Sequence, residues 1–166
     1  MKQLLIIRHA KSDWNALIPR DFDRSLNDRG HRDAPSMAKR MIDRKVKLDA
    51  IITSTALRAF TTANYFASVY SSETKKTIPI IEKPELYLAE PPIFFDVIRK
   101  TDDNYNNIAI FSHNPGITHF INQLGVAQLD EMPTCGIFAI TIDAKSWSDF
   151  KKAKKQFLFF DYPKNG

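Results

Sequence analysis

Short apolar runs alternate along the chain with stretches in which apolar residues recur every three or four positions. Leu4-Leu5-Ile6-Ile7 reads as a buried strand. Ala34, Met37, Ala38, Met41 and Ile42 share one helical face, and Asn27 upstream is suited to cap that helix. Pro35 is predicted to kink this helix or divide it in two. Leu48 to Ile52 forms a second strand pattern. Ser54 or Thr55 would then cap a helix whose face is Ala56, Phe60, Ala63, Ala67 and Tyr70. Thr77 to Ile81 is a third strand, bounded by Pro84. A helix is predicted over 91–100, with Pro91 or Pro92 in its first turn. Ile108 to Phe111 is a fourth strand, and Pro115 opens a helix that reaches about Leu124. Ile137–Ile142 and Gln156–Phe160 read as two final strands with a lysine-rich run between them. This alternation predicts an α/β fold, a three-layer α/β/α sandwich around a mostly parallel central sheet. The last two strands lack an intervening helix, so an antiparallel edge element is expected.

Composition narrows the class. The 166 residues are 43% apolar and include 12 Phe and 5 Tyr, enough for one well-cored domain spanning 1–166. A disordered or low-complexity chain is excluded. The apolar runs are too short to cross a bilayer. Arg8 and His9 interrupt the N-terminal run before it could act as a secretory leader. Cys135 is the only cysteine, which excludes an internal disulfide or a multi-thiolate metal site and fits a cytoplasmic protein. The formal charge of +5 suits anionic substrates. The run Lys151-Lys152-Ala153-Lys154-Lys155 has no interleaved aromatic residues, so it reads as a solvated turn or helix end. Neither nucleic acid nor a membrane is an expected partner.

The polar residues that break the apolar pattern fall at related places. Arg8-His9 follows the first strand, Arg58 lies in the first helical turn after the second, and His113 follows the fourth. In an open α/β sheet, loops at the carboxyl ends of the strands line one crevice. Two Arg and two His are therefore sent to one place, beside a helix N-terminus that aims free N–H groups there. Such a set suits a phosphoryl group: Arg forks bind its oxygens, and a neutral imidazole can attack phosphorus. Either His alone would more simply be a polar loop residue. His31 and His119 fall outside the pattern and read as surface residues. No His pair has the HxxxH or HExxH spacing of a zinc site, so no metal site is expected.

With these residues in place, the chain resembles the histidine phosphatase superfamily, which includes the phosphoglycerate mutases. The resemblance rests on Arg8-His9-Ala10-Lys11-Ser12-Asp13-Trp14-Asn15, with Ala10 where the family usually has Gly. It extends over Asp23-Arg24-Ser25-Leu26-Asn27-Asp28-Arg29-Gly30, Ser54-Thr55-Ala56-Leu57-Arg58 and Phe111-Ser112-His113-Asn114-Pro115-Gly116. The short chain and the Ser-His-Asn-Pro-Gly block are similar to the compact, SixA-like phosphohistidine phosphatase branch. The resemblance implies a metal-independent phosphatase with no cofactor. In it His9 would be the nucleophile, Arg8 and Arg58 the phosphate clamp, His113 the pocket's second imidazole and Asn15 a pocket-lining residue. Larger members donate a proton from a carboxylate between the second and third blocks; Glu85 and Glu90 are the available candidates here, with Glu85 otherwise a solvated residue at a strand end. The implied substrate is a phosphorylated protein carrying phosphohistidine. A small phosphorylated metabolite and a non-catalytic phosphoprotein-binding module are the alternatives. The pocket rim falls in loops 16–24, 83–92 and 125–135, whose side chains follow no readable rule.

Overall fold

The computed structural model describes every residue except 15, 16 and 19. Its strands are β1 (Lys2–Arg8), β2 (Ala50–Thr53), β3 (Ile80–Glu82), β4 (Asn107–Ser112), β5 (Ile137–Ile142) and β6 (Lys155–Asp161). Its helices are α1 (Asp28–Asp43), α2 (Leu57–Thr74), α3 (Pro91–Arg99) and α4 (Gly116–Gln123). The strands form one sheet in the order β3-β2-β4-β1-β5-β6. The first four are parallel, and β5 runs antiparallel to both β1 and β6. This is the expected α/β/α sandwich with an antiparallel element at one edge.

Residue parity decides the two faces of the sheet. Leu4, Ile6, Ile52, Ile108 and Ile110 pack with α3 and α4 residues such as Phe94, Ile98 and Phe120. Leu5, Ile7, Ile51, Ala109 and Phe111 pack on the other face with Met37 and Met41 of α1 and Phe66 and Tyr70 of α2. Central strands buried on both faces read as continuous apolar runs, which is why β1 and β4 were plain in the sequence.

The structure differs from expectation at two helix positions. Asn27 does cap α1, its side chain accepting from the Gly30 N–H at 2.9 Å. Pro35, however, does not divide α1, which is continuous from Asp28 to Asp43. Burial of Ala34, Met37, Ala38 and Met41 against the sheet holds the helix through the one backbone bond that Pro35 cannot make. Helix α2 begins after Ala56 rather than directly after Ser54 or Thr55. Ser54 instead accepts from the Ala56 N–H at 3.2 Å and turns its hydroxyl toward His113. The lysine run forms a turn in which the Lys155 ammonium donates to the carbonyls of Phe150 and Ala153.

Candidate active site

The sheet order explains how distant residues converge. Strands β2, β4 and β1 are adjacent and parallel, so their carboxyl ends stand side by side. Arg8 pairs in register with Ser112, and Thr53 with Phe111. The next residues, His9 and His113, therefore leave the sheet at one level, and Ser54 leaves it one residue earlier. The His9 N–H donates to the Ser112 carbonyl and the Ser54 N–H to the Phe111 carbonyl, fixing the first step out of each strand. A cleft of about 280 Å³ opens there, lined by Arg8, His9, Arg58 and His113 among others. The structure thus brings together the four residues singled out in the sequence.

His9 is buried, and its imidazole is oriented by its own backbone. Nδ1 lies 2.7 Å from the Ala10 carbonyl, which can only accept, so Nδ1 carries the hydrogen and Nε2 keeps its lone pair. The Arg58 Nε–H points at that nitrogen from 3.4 Å. Burial pushes the His9 pKa well below its ordinary value. The Ala10 carbonyl opposes this, while the nearby His113, Arg58 and Arg8 add to it. His9 is a neutral imidazole whose unprotonated Nε2 faces cations, the Arg58 Nε–H among them.

The second imidazole lies 5.2 Å from the first, centroid to centroid. His113 Nε2 is 2.8 Å from the Ser54 hydroxyl. That hydroxyl oxygen already accepts from Ala56, and its hydrogen has its acceptor in His113. Nδ1 then bears the hydrogen, and this N–H is buried with no partner. Burial, reinforced by Arg58, lowers the His113 pKa to about 3.

Arg8 donates from Nη1 to the Met132 carbonyl at 2.9 Å, while its Nε is buried with no partner. Among the described residues, Arg8 Nε and His113 Nδ1 are the two buried side-chain polar atoms left unsatisfied. Both belong to side chains lining the cleft, and an N–H left dry is costly unless a ligand supplies an acceptor.

Arg58 is also buried, in the first turn of α2. Its Nη1 donates to the Asp21 carbonyl at 2.8 Å and its Nη2 to the Asp21 carboxylate at 2.9 Å. Arg24 donates from Nε to the other carboxylate oxygen at 3.0 Å and lies flat on Trp14, 3.6 Å from the ring centre. Tyr87 also donates to Asp21. Partial burial would raise the Asp21 pKa, but the hydrogen bonds from Tyr87, Arg58 and Arg24 bring it down to about 2. Lys11, Arg8, Arg24 and Arg58 line the cleft against this single carboxylate.

Asp21, Arg24 and Ser54 belong to the site but were not singled out as candidates. Thr62, likewise unread, ties the loop after His9 to α2 by accepting from the Ala10 N–H and donating to the Arg58 carbonyl. All three loops expected at the rim contribute: Asp21 from the first, Leu88 from the second, Thr134 and the Met132 carbonyl from the third. Glu85 does not join the cleft. It is exposed on the 3-10 turn Pro84–Leu86, whose inward residue is the buried Leu86. Asn15 lies outside the described residues. His31 and His119 are exposed, as expected, against Tyr65 and Glu90. Cys135 is buried behind His9, its N–H donating to the carbonyls of Arg8 and His9. Burial pushes its thiol strongly upward in pKa.

The family profile of the histidine phosphatase superfamily (branch 1) matches residues 4–86. The chain belongs to this superfamily. A 2,3-bisphosphoglycerate-dependent phosphoglycerate mutase of Staphylococcus epidermidis is 30% identical over 82 residues, 48% of this chain. The match spans about a third of that mutase's length, 35%. In structure, the protein histidine phosphatase SixA complexed with tungstate superposes with a TM-score of 0.81 at 20% identity, over 98% of both chains. A chain assigned as the phosphohistidine phosphatase SixA of Agrobacterium tumefaciens superposes with a TM-score of 0.78 at 24% identity, again over 98% of both. These likenesses establish the fold along the whole length.

Proposed function

We propose that this protein is a phosphatase that works through a phosphohistidine intermediate on His9, and that its substrate is phosphohistidine in a protein. The two unsatisfied N–H groups of Arg8 and His113, beside a neutral imidazole whose Nε2 carries no hydrogen, carry this reading. A phosphoryl group in the cleft gives both donors an acceptor and meets the excess of cations. His9 Nε2 attacks phosphorus, the N–P bond forms, and the bond to the leaving group breaks with its electron pair going to that group. Arg8 and Arg58 hold the equatorial oxygens as charge shifts among them. Water then attacks the phosphoryl group, orthophosphate departs, and His9 is neutral again.

The proton inventory supports the substrate class. Among the described residues Asp21 is the one carboxylate lining the cleft; it is held ionised by three donors and is a poor general acid. Imidazole leaves phosphorus more readily than an alkoxide does, so phosphohistidine makes the smaller demand on a missing acid. Trp14 and Leu88 stand exposed at the cleft, an open apolar rim suited to a protein surface. Four cations facing one carboxylate also make a poor home for a divalent ion, so we expect turnover without metal or cofactor. The single, unpaired thiol of Cys135 fits a reducing compartment, and we assign the protein to the cytoplasm.

The decisive experiment is rapid acid-free quench with a labelled aryl phosphate in the presence of a chelator. Base-stable, acid-labile phosphate should appear on wild type and not on His9→Ala. Normal turnover by His9→Ala overturns the mechanism. Labelling that disappears with chelator and returns with a divalent ion overturns its metal-free form.

A further inference from the structure

Asp21 stands exposed in the 3-10 turn Asp21–Asp23, yet it gathers more donors than any other residue at the cleft. Its contacts have a direction. They take both Nη atoms of Arg58, one through the backbone carbonyl and one through the carboxylate. What remains of the guanidinium, the Nε–H, faces His9 Nε2. We propose that Asp21 is a positioning residue for phosphoryl transfer, which locks Arg58 with its Nε–H toward the reactive nitrogen of His9 and in doing so weakens anion binding. This rests on the reading of the cleft as a phosphoryl-transfer site.

Without Asp21, Arg58 would be badly placed. It projects from the first turn of α2, where the helix end is itself partly positive, and shares the cleft with Arg8 and Arg24. A long side chain repelled from several sides swings toward water and loses the fixed direction that transition-state stabilisation requires. Asp21 counters that repulsion at the outer end of the guanidinium, away from His9. It is itself fixed by Tyr87 and by Arg24, and Arg24 is anchored on the Ser12 hydroxyl at 2.8 Å. The consequence is a trade. A carboxylate beside the pocket repels a phosphate dianion in the ground state, while the Nε–H, held next to His9 Nε2, is released from that lone pair to a phosphoryl oxygen as the N–P bond forms.

A loop tether and a positioning residue are separated by the signs of two effects. Asp21→Asn removes the charge and keeps the shape. We expect kcat to fall about 10- to 100-fold while tungstate binds about 3- to 10-fold more tightly. Asp21→Glu should recover part of kcat. Asp23→Asn, in the same turn but paired with Arg20, should stay within about twofold of wild type in both. A readout independent of turnover is the side-chain Nε–H resonance of Arg58. It should be protected from exchange in wild type and Asp23→Asn, and exchange-broadened in Asp21→Asn. Melting curves should show all variants folded. An unchanged kcat in Asp21→Asn, a fall in kcat together with weaker tungstate binding, or an unchanged Arg58 resonance overturns the proposal. If wild type fails to turn over phosphoryl substrates while the tungstate and resonance changes appear, the assigned reaction is wrong and Asp21's hold on Arg58 stands.

Discussion

Arg58→Lys separates charge from geometry at a single residue. A surface cation would tolerate the swap within about 0.5 kcal/mol. Lysine, however, has neither an Nε–H set beside His9 nor the two nitrogens that meet Asp21. We expect a loss of about 2–4 kcal/mol in transition-state stabilisation, roughly a hundredfold or more in kcat/KM. Arg29→Lys should be mild, since Arg29 makes only a partly exposed pair with Asp33 one turn on. Retention of most kcat/KM by Arg58→Lys would remove Arg58 from the phosphate site. Arg58 was legible in the sequence because it opens the helix after a buried strand, as Arg8 ends a strand and His9 and His113 directly follow theirs. Asp21 and Arg24 were not, because they sit in a turn without periodicity and act through partners far along the chain. Ser54 was seen, but as a helix cap. A Ser before a helix fits that role equally well, and only the parallel pairing of β2 with β4 turns it toward His113. Glu85 illustrates the opposite case: an acid in the right stretch of sequence whose turn points it into water.

At the scale of elements, the site depends on how closely helix α1 approaches the loop that follows His9. Gly30, in the first turn of α1, leaves no room for a side chain: a Cβ there would stand 2.1 Å from the Lys11 carbonyl oxygen and 3.1 Å from Leu26 Cβ. The same carbonyl accepts from the Asn27 N–H, so the helix cap and the loop after His9 are one joint. Gly30→Ala must push backbone from backbone. The expected cost is about 2–4 kcal/mol, seen as a fall of several degrees in Tm for a chain of this size. Activity should fall with it, because the displaced segment carries Lys11 and Ser12 of the cleft. A Tm within a degree or so of wild type would show that the joint yields freely. The strands and helices themselves were readable from apolar spacing. The exception was Pro35, where a local rule for helix breaking was overridden by packing of the α1 face on the sheet.

At the scale of the whole molecule, folding places two imidazoles in a dry, cationic crevice, and stability is thereby linked to pH. Both His9 and His113 have pKa values lowered from about 6.5 on folding, His113 to about 3. The unfolded chain therefore takes up protons first as pH falls. The stability these residues contribute is complete above about pH 6.5 and is lost progressively down toward about pH 3. The slope is up to about 1.4 kcal/mol per pH unit for each imidazole. Asp21 adds a loss of the same sign at lower pH, between its ordinary value and about 2. A bound dianion reverses the preference of both imidazoles, since it favours their charged forms. Binding then takes up protons, and affinity must rise as pH falls. Sulfate tests this cleanly because its own charge does not change over the range. Denaturant unfolding at about pH 8 and about pH 5 should show a less stable free protein at the lower pH, and a sulfate-induced gain that is larger there. In His9→Ala, with one imidazole gone, the acid loss should shrink and the extra gain from sulfate with it. Equal stability of the free wild type at both pH values, or a sulfate gain independent of pH, would mean that these imidazoles are not held neutral by the fold. The picture of His9 as a poised, unprotonated nucleophile would then have to be given up.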